Sequence, residues 1–407
     1  MKCLTILGAT GSIGVHTLDV IRQYPDRFSV IALTAHHNIE LLFKQCLQTM
    51  PSYAVVSTEP LAKNLQQRLR EQSLKTKVLF GSKALTEVAS LSEVDTVIAA
   101  IIGAAGLLPT LAAINAKKRV LLANREALVM AGTLLMEEAK RSQALLLPID
   151  RGHNAIFQCL YRNTSIGCAH QEISKLILTA SGGALHNKPL EQLEEATPEQ
   201  VCQHPNWTME KKTRVDSATL MNKGFEVIEA YFLFGLTLEQ IYVILHPQRI
   251  VYSLLEYRDG SCSAQLISPD SLHPISYALA WPERLANSAS RFDLLEMARL
   301  DFQAIDEARY PCLNLAYQAI KIGGSATTIL NAANEVVVQA FLEAKINFTD
   351  IARINKQVLE KIHSRPMTSI EVILEDDSLA REVALEMIGL KSYGSSLDAD
   401  MMQLAIS

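Results

Sequence analysis

Paired cysteines are absent from this sequence. Its seven cysteines are odd in number and scattered, with no Cys-x-x-Cys arrangement. That argues against a disulfide framework and suits buried free thiols in a reducing compartment. A basic excess is missing too. Lys and Arg number 38 against 43 Asp and Glu, the net charge is −5 and the pI is about 6.1. A nucleic-acid partner is therefore not expected, because such a protein usually carries a basic face. No secretory or transit segment is expected before Lys2–Leu7, which reads directly as a strand, so the expected location is cytoplasmic. Long unbroken apolar runs are also lacking. The most apolar stretch, Val97 to Ile114, approaches the length of a membrane span. Gly103, Gly106 and Pro109 break it into a buried strand, a glycine turn and a helix, so no membrane association is expected. Internal repeats and low-complexity segments do not stand out.

What is present is an ordinary globular composition, 49% hydrophobic and 20% charged. At 407 residues the chain is long for one core, so two or three domains are expected. Residues 1–150 alternate strand and helix patterns, with strands at 4–7, 28–33, 53–57, 77–80, 96–101, 119–122 and 144–149. That alternation predicts a Rossmann-like, doubly wound parallel sheet in an α/β fold. Residues 151–290 read as a mixed α+β catalytic and dimerisation domain, with strands at 173–179, 241–245, 250–256 and 262–267. Residues 291–310 read as a linker, 311–393 as a C-terminal helical bundle and 394–407 as a tail.

The first strand runs into Gly8-Ala-Thr10-Gly11-Ser12-Ile13-Gly14. A glycine loop at the first strand–helix junction lets the backbone approach a pyrophosphate at the helix N-terminus. The second strand ends near Thr34, and Ala35-His36-His37-Asn38 follow with no Asp or Glu. NAD sites commonly place an acid there for the ribose hydroxyls, so its absence favours NADP. Two exposed loop histidines are the plainer reading of His36 and His37. Asn124-Arg125-Glu126 follow the sixth strand, and Asp150-Arg151-Gly152-His153-Asn154 the seventh. Carboxyl ends of parallel strands face the ligand crevice, so both are natural site positions. A solvated helix start at Arg125 and Glu126, and a helix cap at Asp150, are the structural alternatives.

The chain pivots on residues 204–229, HPNWTMEKKTRVDSATLMNKGFEVIE. Ser217, Asn222 and Lys223 can each donate to an oxyanion, and a helix start near Ser217 would add free N–H groups and a favourable dipole. That makes a candidate phosphate site; a capped helix with solvated charges is the alternative. Trp207 and Met209 sit upstream, where they can close over a ligand.

This stretch resembles the catalytic loop and phosphate-binding helix of the 1-deoxy-D-xylulose 5-phosphate reductoisomerase family. GATGSIG at 8–14, IIGAAGLLPTLAAI at 101–114, LLAN at 121–124, HNAIFQC at 153–159, ASGG at 180–183, LHPQ at 245–248, RYPCL at 309–313 and LNAANE at 330–335 follow the family in order. The resemblance implies conversion of 1-deoxy-D-xylulose 5-phosphate to 2-C-methyl-D-erythritol 4-phosphate with NADPH, in non-mevalonate isoprenoid biosynthesis, by a homodimer. It implies cofactor contacts from Thr10, Gly11, Ser12, Ile13, His37, Asn38, Asn124 and Glu126. Substrate contacts would come from Ser181, His204, Trp207, Ser217, Asn222 and Lys223. Catalytic roles fall to Asp150, Arg151, His153, Glu226 and Arg125, with Mg²⁺ or Mn²⁺ on Asp150 and Glu226.

The chain also departs from the family pattern. The family holds its cation with three carboxylates, and the second of these is Gly152 here. Arg151 stands at the family serine, Arg125 at the family lysine, and Glu210 and Arg214 replace small residues in the loop. Asp150, Glu226, Arg125 and Arg151 sum to zero charge without a metal. Three readings follow. One is the family reaction with a weaker cation site. A second is a metal-independent reductase of another phosphorylated carbonyl compound, with an arginine as electrophile. A third is a silent NADP-binding paralogue.

Overall fold

A computed structural model describes residues 1–160, 172–203, 210–267, 272–286, 293–297 and 299–389. Strands β1 (Lys2–Leu7), β2 (Phe28–Thr34), β3 (Tyr53–Val56), β4 (Lys77–Phe80), β5 (Thr96–Ala99), β6 (Arg119–Leu122) and β7 (Leu145–Pro148) form one sheet. Its order is β4-β3-β2-β1-β5-β6-β7, and every neighbouring pair is parallel. The strands are short and nearly all apolar because both faces are covered, by α1 (Ser12–Gln23), α2 (Ile39–Thr49), α3 (Glu59–Glu71), α4 (Gly81–Ser90), α5 (Leu107–Asn115) and α6 (Arg125–Ser142). The chain winds outward from β1 in one direction and from β5 in the other, so the order reverses between β1 and β5. That reversal opens the ligand crevice at the carboxyl edge. The apolar run at 97–114 divides as expected into β5, a 3₁₀ turn at Ala104–Gly106 and α5. No helix among the described residues is long and apolar enough to cross a membrane.

Two glycines bring the first turn to the switch point. Gly8 has φ of +81°, and a Cβ there would lie 2.5 Å from the carbonyl oxygen of Ala100. A Cβ at Gly14 would lie 2.5 Å from the Cα of Ala9, so only glycine lets α1 pack this tightly on the loop.

The second sheet combines β8 (Ile173–Ala180), β9 (Ile241–Leu245), β10 (Val251–Tyr257) and β11 (Cys262–Leu266), in the order β11-β10-β8-β9. Only β8 and β9 run parallel; the other pairs are antiparallel. Helices α7 (Arg151–Cys159), α8 (Pro198–Cys202), α9 (Lys211–Ala218), α10 (Met221–Phe234) and α11 (Leu272–Ala280) accompany it, followed by the short α12 (Leu294–Met297). Among the described residues four further helices follow: α13 (Pro311–Ile322), α14 (Ala326–Leu342), α15 (Asp350–Lys361) and α16 (Ile370–Ile388). They do not form a free-standing bundle, since α13 packs on α10, and α14 packs on α6 and α9. At Ala131 α6 bends (φ −132°, ψ 25°), and the Met130 carbonyl accepts a 2.8 Å hydrogen bond from Thr328 Oγ1 of α14.

Gly14→Ala forces the first turn away from α1. Overpacking of this kind costs about 1–3 kcal/mol. The expected outcome is a lower urea midpoint and weaker dinucleotide binding, read by denaturation and by fluorescence titration.

Candidate active site

The carboxyl edge of the first sheet carries the dinucleotide side. Thr10, Gly11, Ser12 and Ile13 cross from β1 into α1; Gly11 and Ser12 are exposed, and Thr10 and Ile13 half-buried. Their backbone N–H groups lie at the start of a twelve-residue helix, as the loop pattern predicts. At the end of β2, His36 and His37 are exposed with ring centroids 3.7 Å apart. Ser57 Oγ donates to the His36 carbonyl at 2.8 Å and lies 3.2 Å from His37 Nδ1. Asn38 caps α2, its side chain accepting from Leu41 N at 3.1 Å. Asn124 is buried and caps α6: Oδ1 accepts from Ala127 N at 3.1 Å, and Nδ2 donates to the Gly103 carbonyl at 3.2 Å. Glu126 is half-buried in the first turn of α6.

The centre of the site is built where α7 begins and α10 passes. Asp150 is the N-cap of α7, accepting from His153 N at 3.0 Å, so the capping reading holds. The same carboxylate sits 2.7 Å from His153 Nδ1, while His153 Nε2 is 2.9 Å from the main-chain carbonyl of Glu226. An ionised carboxylate and a carbonyl only accept hydrogen bonds, so both ring nitrogens donate and the ring is an imidazolium. Burial acts to push His153 down. The charges of Asp150, Glu229 and Glu226 and the hydrogen bond to Asp150 outweigh it and raise the ring to about 10. Burial likewise acts to push Asp150 up, but His153 and Arg125 reverse this and hold it at about 2. Its side chain keeps 37% exposure, so its remaining side is open to a ligand.

On α10, Asn222, Glu226 and Glu229 are spaced to share one face. Arg125 Nη1 donates to Asn222 Oδ1 at 2.6 Å, and Arg125 Nε lies 3.7 Å from Glu229 Oε1. Asn222 Nδ2 donates to Glu226 Oε1 at 3.0 Å, and Lys223 Nζ donates to Glu226 Oε2. Lys223, expected at the substrate phosphate, is thus in an ion pair with Glu226. Glu229 was assigned no role from the sequence. It is 5% exposed and lies 3.5 Å from His153 Nδ1. Burial pushes it up to about 7, with Asp150 and Glu226 adding to the rise and His153 and Arg125 opposing it. Its spacing from Glu226 was the signal available.

The phosphate side brings two distant segments together. Gly182 and Gly183 have φ of +84° and +74°, and a Cβ at Gly183 would lie 2.5 Å from Ala218 Cα. The turn bearing Ser181 thus packs backbone to backbone on the end of α9, next to Ser217. Ser217 is not at a helix start. It lies in the last turn of α9, with Oγ donating to the Thr213 carbonyl at 2.8 Å. The break comes at Leu220, whose φ is +56°, and α10 starts afresh at Met221. Thr219 Oγ1 stabilises the break, donating to the Val215 carbonyl and accepting from Met221 N. The first turn with free donors therefore carries Asn222 and Lys223 instead. His204, Trp207 and Met209 lie outside the described residues.

For a divalent cation the fit is partial. A Cβ built at Gly152 would lie 3.0 Å from Glu226 Oε2 and 3.4 Å from Asp150 Oδ1. A side chain at 152 thus enters the space between the two carboxylates, where a third ligand would stand. Among the described residues no group of three His, Cys, Asp or Glu is arranged to hold a metal. Asp150 and Glu226 remain, and a two-carboxylate site completed by water or substrate oxygens suits Mg²⁺. Arg151 is half-buried at the start of α7, and its charge lowers the pKa of Arg249, which burial already depresses.

A doubly wound parallel sheet with a glycine loop at its switch point, joined to a charged cluster on a second unit, defines an α/β dinucleotide-dependent enzyme. Family models narrow this further. Residues 4–132 match the 1-deoxy-D-xylulose 5-phosphate reductoisomerase model, residues 146–234 its C-terminal domain model, and residues 266–383 a second DXP reductoisomerase C-terminal domain model. The reductoisomerase of Pseudomonas aeruginosa (strain UCBPP-PA14) is 53% identical over 94% of this chain and 96% of its own. That of Dechloromonas aromatica (strain RCB) is 51% identical over 95% and 98%. The Zymomonas mobilis enzyme, solved with NADPH, superposes with a TM-score of 0.90 at 41% identity over 95% of this chain and 99% of that one. A DOX-P reductoisomerase solved with NADPH, fosmidomycin and magnesium gives 0.90 at 44% identity over 96% and 98%. The chain belongs to the 1-deoxy-D-xylulose 5-phosphate reductoisomerase family.

Glu229 and His153 set the pH dependence of stability at this junction. Both are raised on folding, so each contribution is complete below the unfolded pKa and lost as pH rises through the folded one. For Glu229 the window runs from 4.5 to about 7, and for His153 from 6.5 to about 10. Glu229→Gln is expected to flatten the fall of the urea midpoint across the lower window, measured by denaturation in a pH series.

Proposed function

We propose that this chain converts 1-deoxy-D-xylulose 5-phosphate to 2-C-methyl-D-erythritol 4-phosphate with NADPH. What supports the reading is the glycine turn at the carboxyl edge of the parallel sheet, the Asp150 and Glu226 carboxylates on either side of Gly152, Asn222 and Lys223 on Glu226, and the close approach of the Ser181 turn to the Ser217 end of α9. In this reading Thr10, Gly11, Ser12 and Ile13 bind the pyrophosphate through backbone N–H groups. His37 and Asn38 face the adenosine 2′-phosphate, and Asn124 and Glu126 line the nicotinamide side. Ser181, Ser217, Asn222 and Lys223 hold the substrate phosphate, aided by His204 and Trp207. Asp150 and Glu226 hold Mg²⁺ or Mn²⁺, which supplies Lewis acidity to neighbouring substrate oxygens when bound. His153 locks Asp150 in one orientation, and Arg125 fixes Asn222 between the nucleotide and phosphate sides. Homodimerisation, a cytoplasmic location, and division into units at 1–150, 151–290 and 311–393 around a 291–310 linker belong to the same proposal.

One observation favours a second reading. The missing third carboxylate at Gly152, with Arg151 next to it and Arg125 replacing a lysine, suits a reductase in which a guanidinium stabilises the developing alkoxide without metal. Isomerisation would suffer more than hydride transfer, because it needs two substrate oxygens gripped together.

NADPH oxidation with 1-deoxy-D-xylulose 5-phosphate, on metal-stripped protein and again with Mg²⁺ or Mn²⁺, separates the readings. Turnover only with cation, and with the rearranged product, is expected. Reduction indifferent to chelator would favour the arginine electrophile instead. No turnover in either arm, with NADPH still bound, would overturn the family reaction and leave an altered substrate or a silent NADP-binding paralogue, which a screen of other phosphorylated carbonyl compounds separates.

Gly152→Glu with Arg151→Ser adds a carboxylate and removes a positive charge. The expected gain in Mn²⁺ affinity is about tenfold or more, since one such ligand change is worth at least 1.4 kcal/mol. Isothermal titration calorimetry without substrate measures it independently of activity.

A further inference from the structure

The segment Leu330-Asn-Ala-Ala-Asn334-Glu335 has no part in the site described above, yet it makes a buried polar contact with α9. Asn334 Nδ2 donates to Asp216 Oδ1 at 2.8 Å, across 118 positions of sequence. Asn355 Nδ2 of α15 donates in turn to Asn334 Oδ1 at 3.0 Å. Asn334 and Asn355 are fully buried and Asp216 is 2% exposed. A buried carboxylate demands partners, and a single misfit costs more than the bond contributes. The chain Asn355–Asn334–Asp216 therefore fixes where α9 stands along α14.

A second set of charges runs parallel to it. Lys212 Nζ lies 3.5 Å from Asp216 Oδ2 and 3.8 Å from Glu335 Oε1. Glu335 pairs with Arg381 at 2.7 Å, and Arg381 with Asp377 at 2.7 Å on α16. Three of the four C-terminal helices thus hold one eight-residue helix.

That helix carries the residue that matters. Ser217 directly follows Asp216, and Ala218 follows Ser217. The Gly183 backbone already lies so close to Ala218 Cα that no methyl group fits between them. A shift of α9 by a few tenths of an ångström therefore reaches the Ser181 turn without slack.

We propose that Asp216 and Asn334 are positioning residues: through them the C-terminal helices set the spacing between Ser217 and the Ser181 turn, and so the affinity for the phosphoryl group of the substrate. The proposal rests on reading Ser181, Ser217, Asn222 and Lys223 as the phosphate site.

The reciprocal exchange tests it on the full-length chain. Asn334→Asp sets two carboxylates against each other in a buried space. Asp216→Asn combined with Asn334→Asp restores one donor and one acceptor with the polarity reversed. With Asn334→Asp alone, the KM for 1-deoxy-D-xylulose 5-phosphate and the Ki of inorganic phosphate rise about tenfold or more, while the Kd of NADPH stays within about twofold. The double change brings KM and Ki back to within about threefold of the parent. If Asn334→Asp does not fold, Asn334→Ser serves, with a smaller rise in the same two constants and none in NADPH binding. Unchanged KM and Ki in a folded variant overturn the proposal. So does a rise that the second substitution fails to reverse, or an equal loss of NADPH affinity, which would mark a general structural role. A parent that neither turns over the phosphorylated ketose nor is inhibited by phosphate overturns the phosphate-site reading, and the proposal with it.

Discussion

His153 is held from both sides, and the junction between the two sheets depends on that grip. Its ring donates to Asp150, which caps α7 as the chain leaves the first sheet, and to the main-chain carbonyl of Glu226, halfway along α10. One buried imidazolium therefore ties the carboxyl edge of the dinucleotide sheet to the helix bearing the phosphate-side residues. Its charge also holds the half-buried Asp150 carboxylate well below the usual range. Removing the ring would take a second donor from a buried helical carbonyl and leave a carboxylate without its nearest counter-charge. The placement of the start of α7 relative to α10 is thus fixed by one side chain.

The architecture around this tie explains why so many segments contribute to so small a volume. The crevice exists because the order of the parallel sheet reverses between β1 and β5, and Gly8 and Gly14 let the first turn lie directly over that reversal. The second sheet supplies the Ser181 turn at the end of β8. The C-terminal helices supply none of the proposed ligands, yet they buttress both α6 and α9. Thr328 satisfies the carbonyl released at the α6 bend, and Asn334 receives the buried carboxylate of α9. Rigid support of this kind is what holds donors at fixed distances from a ligand.

Local patterns in the sequence carried most of the fold. Strands buried on both faces read as short apolar runs, and the glycine turn announced itself by its place after the first of them. Asp150, Arg125 and Glu126 were legible as site candidates because carboxyl ends of parallel strands face the crevice. Ser217 was misplaced at a helix start because nothing local in Lys-Lys-Thr-Arg-Val-Asp-Ser-Ala demands a helix; tertiary packing makes it one, and a left-handed Leu220 ends the run. Glu229 lay in plain view on the Glu226 face, but its weight comes from burial beside His153 and Arg125, which spacing does not report. The Asp216–Asn334 contact was out of reach, since no local signal links residues so far apart.

The charge count drawn from sequence also changes in the folded chain. Asp150, Glu226, Arg125 and Arg151 balanced on paper. In the structure the hydrogen-bonded and ion-paired set brings His153, Arg125 and Lys223 against Asp150, Glu226 and Glu229. It balances only where Glu229, raised to about 7, is ionised, and Lys223 occupies Glu226 directly. A divalent cation entering beside Asp150 and Glu226 brings two charges into a largely buried set that already holds three basic side chains. Electroneutrality then requires Lys223 to leave Glu226, or an anion to arrive with the metal. On the proposed reading of Lys223 as a phosphate ligand, the phosphoryl group of the substrate meets both requirements at once. Cation and phosphorylated substrate should therefore bind with positive coupling in this chain, more strongly than in a relative whose third carboxylate already neutralises the metal.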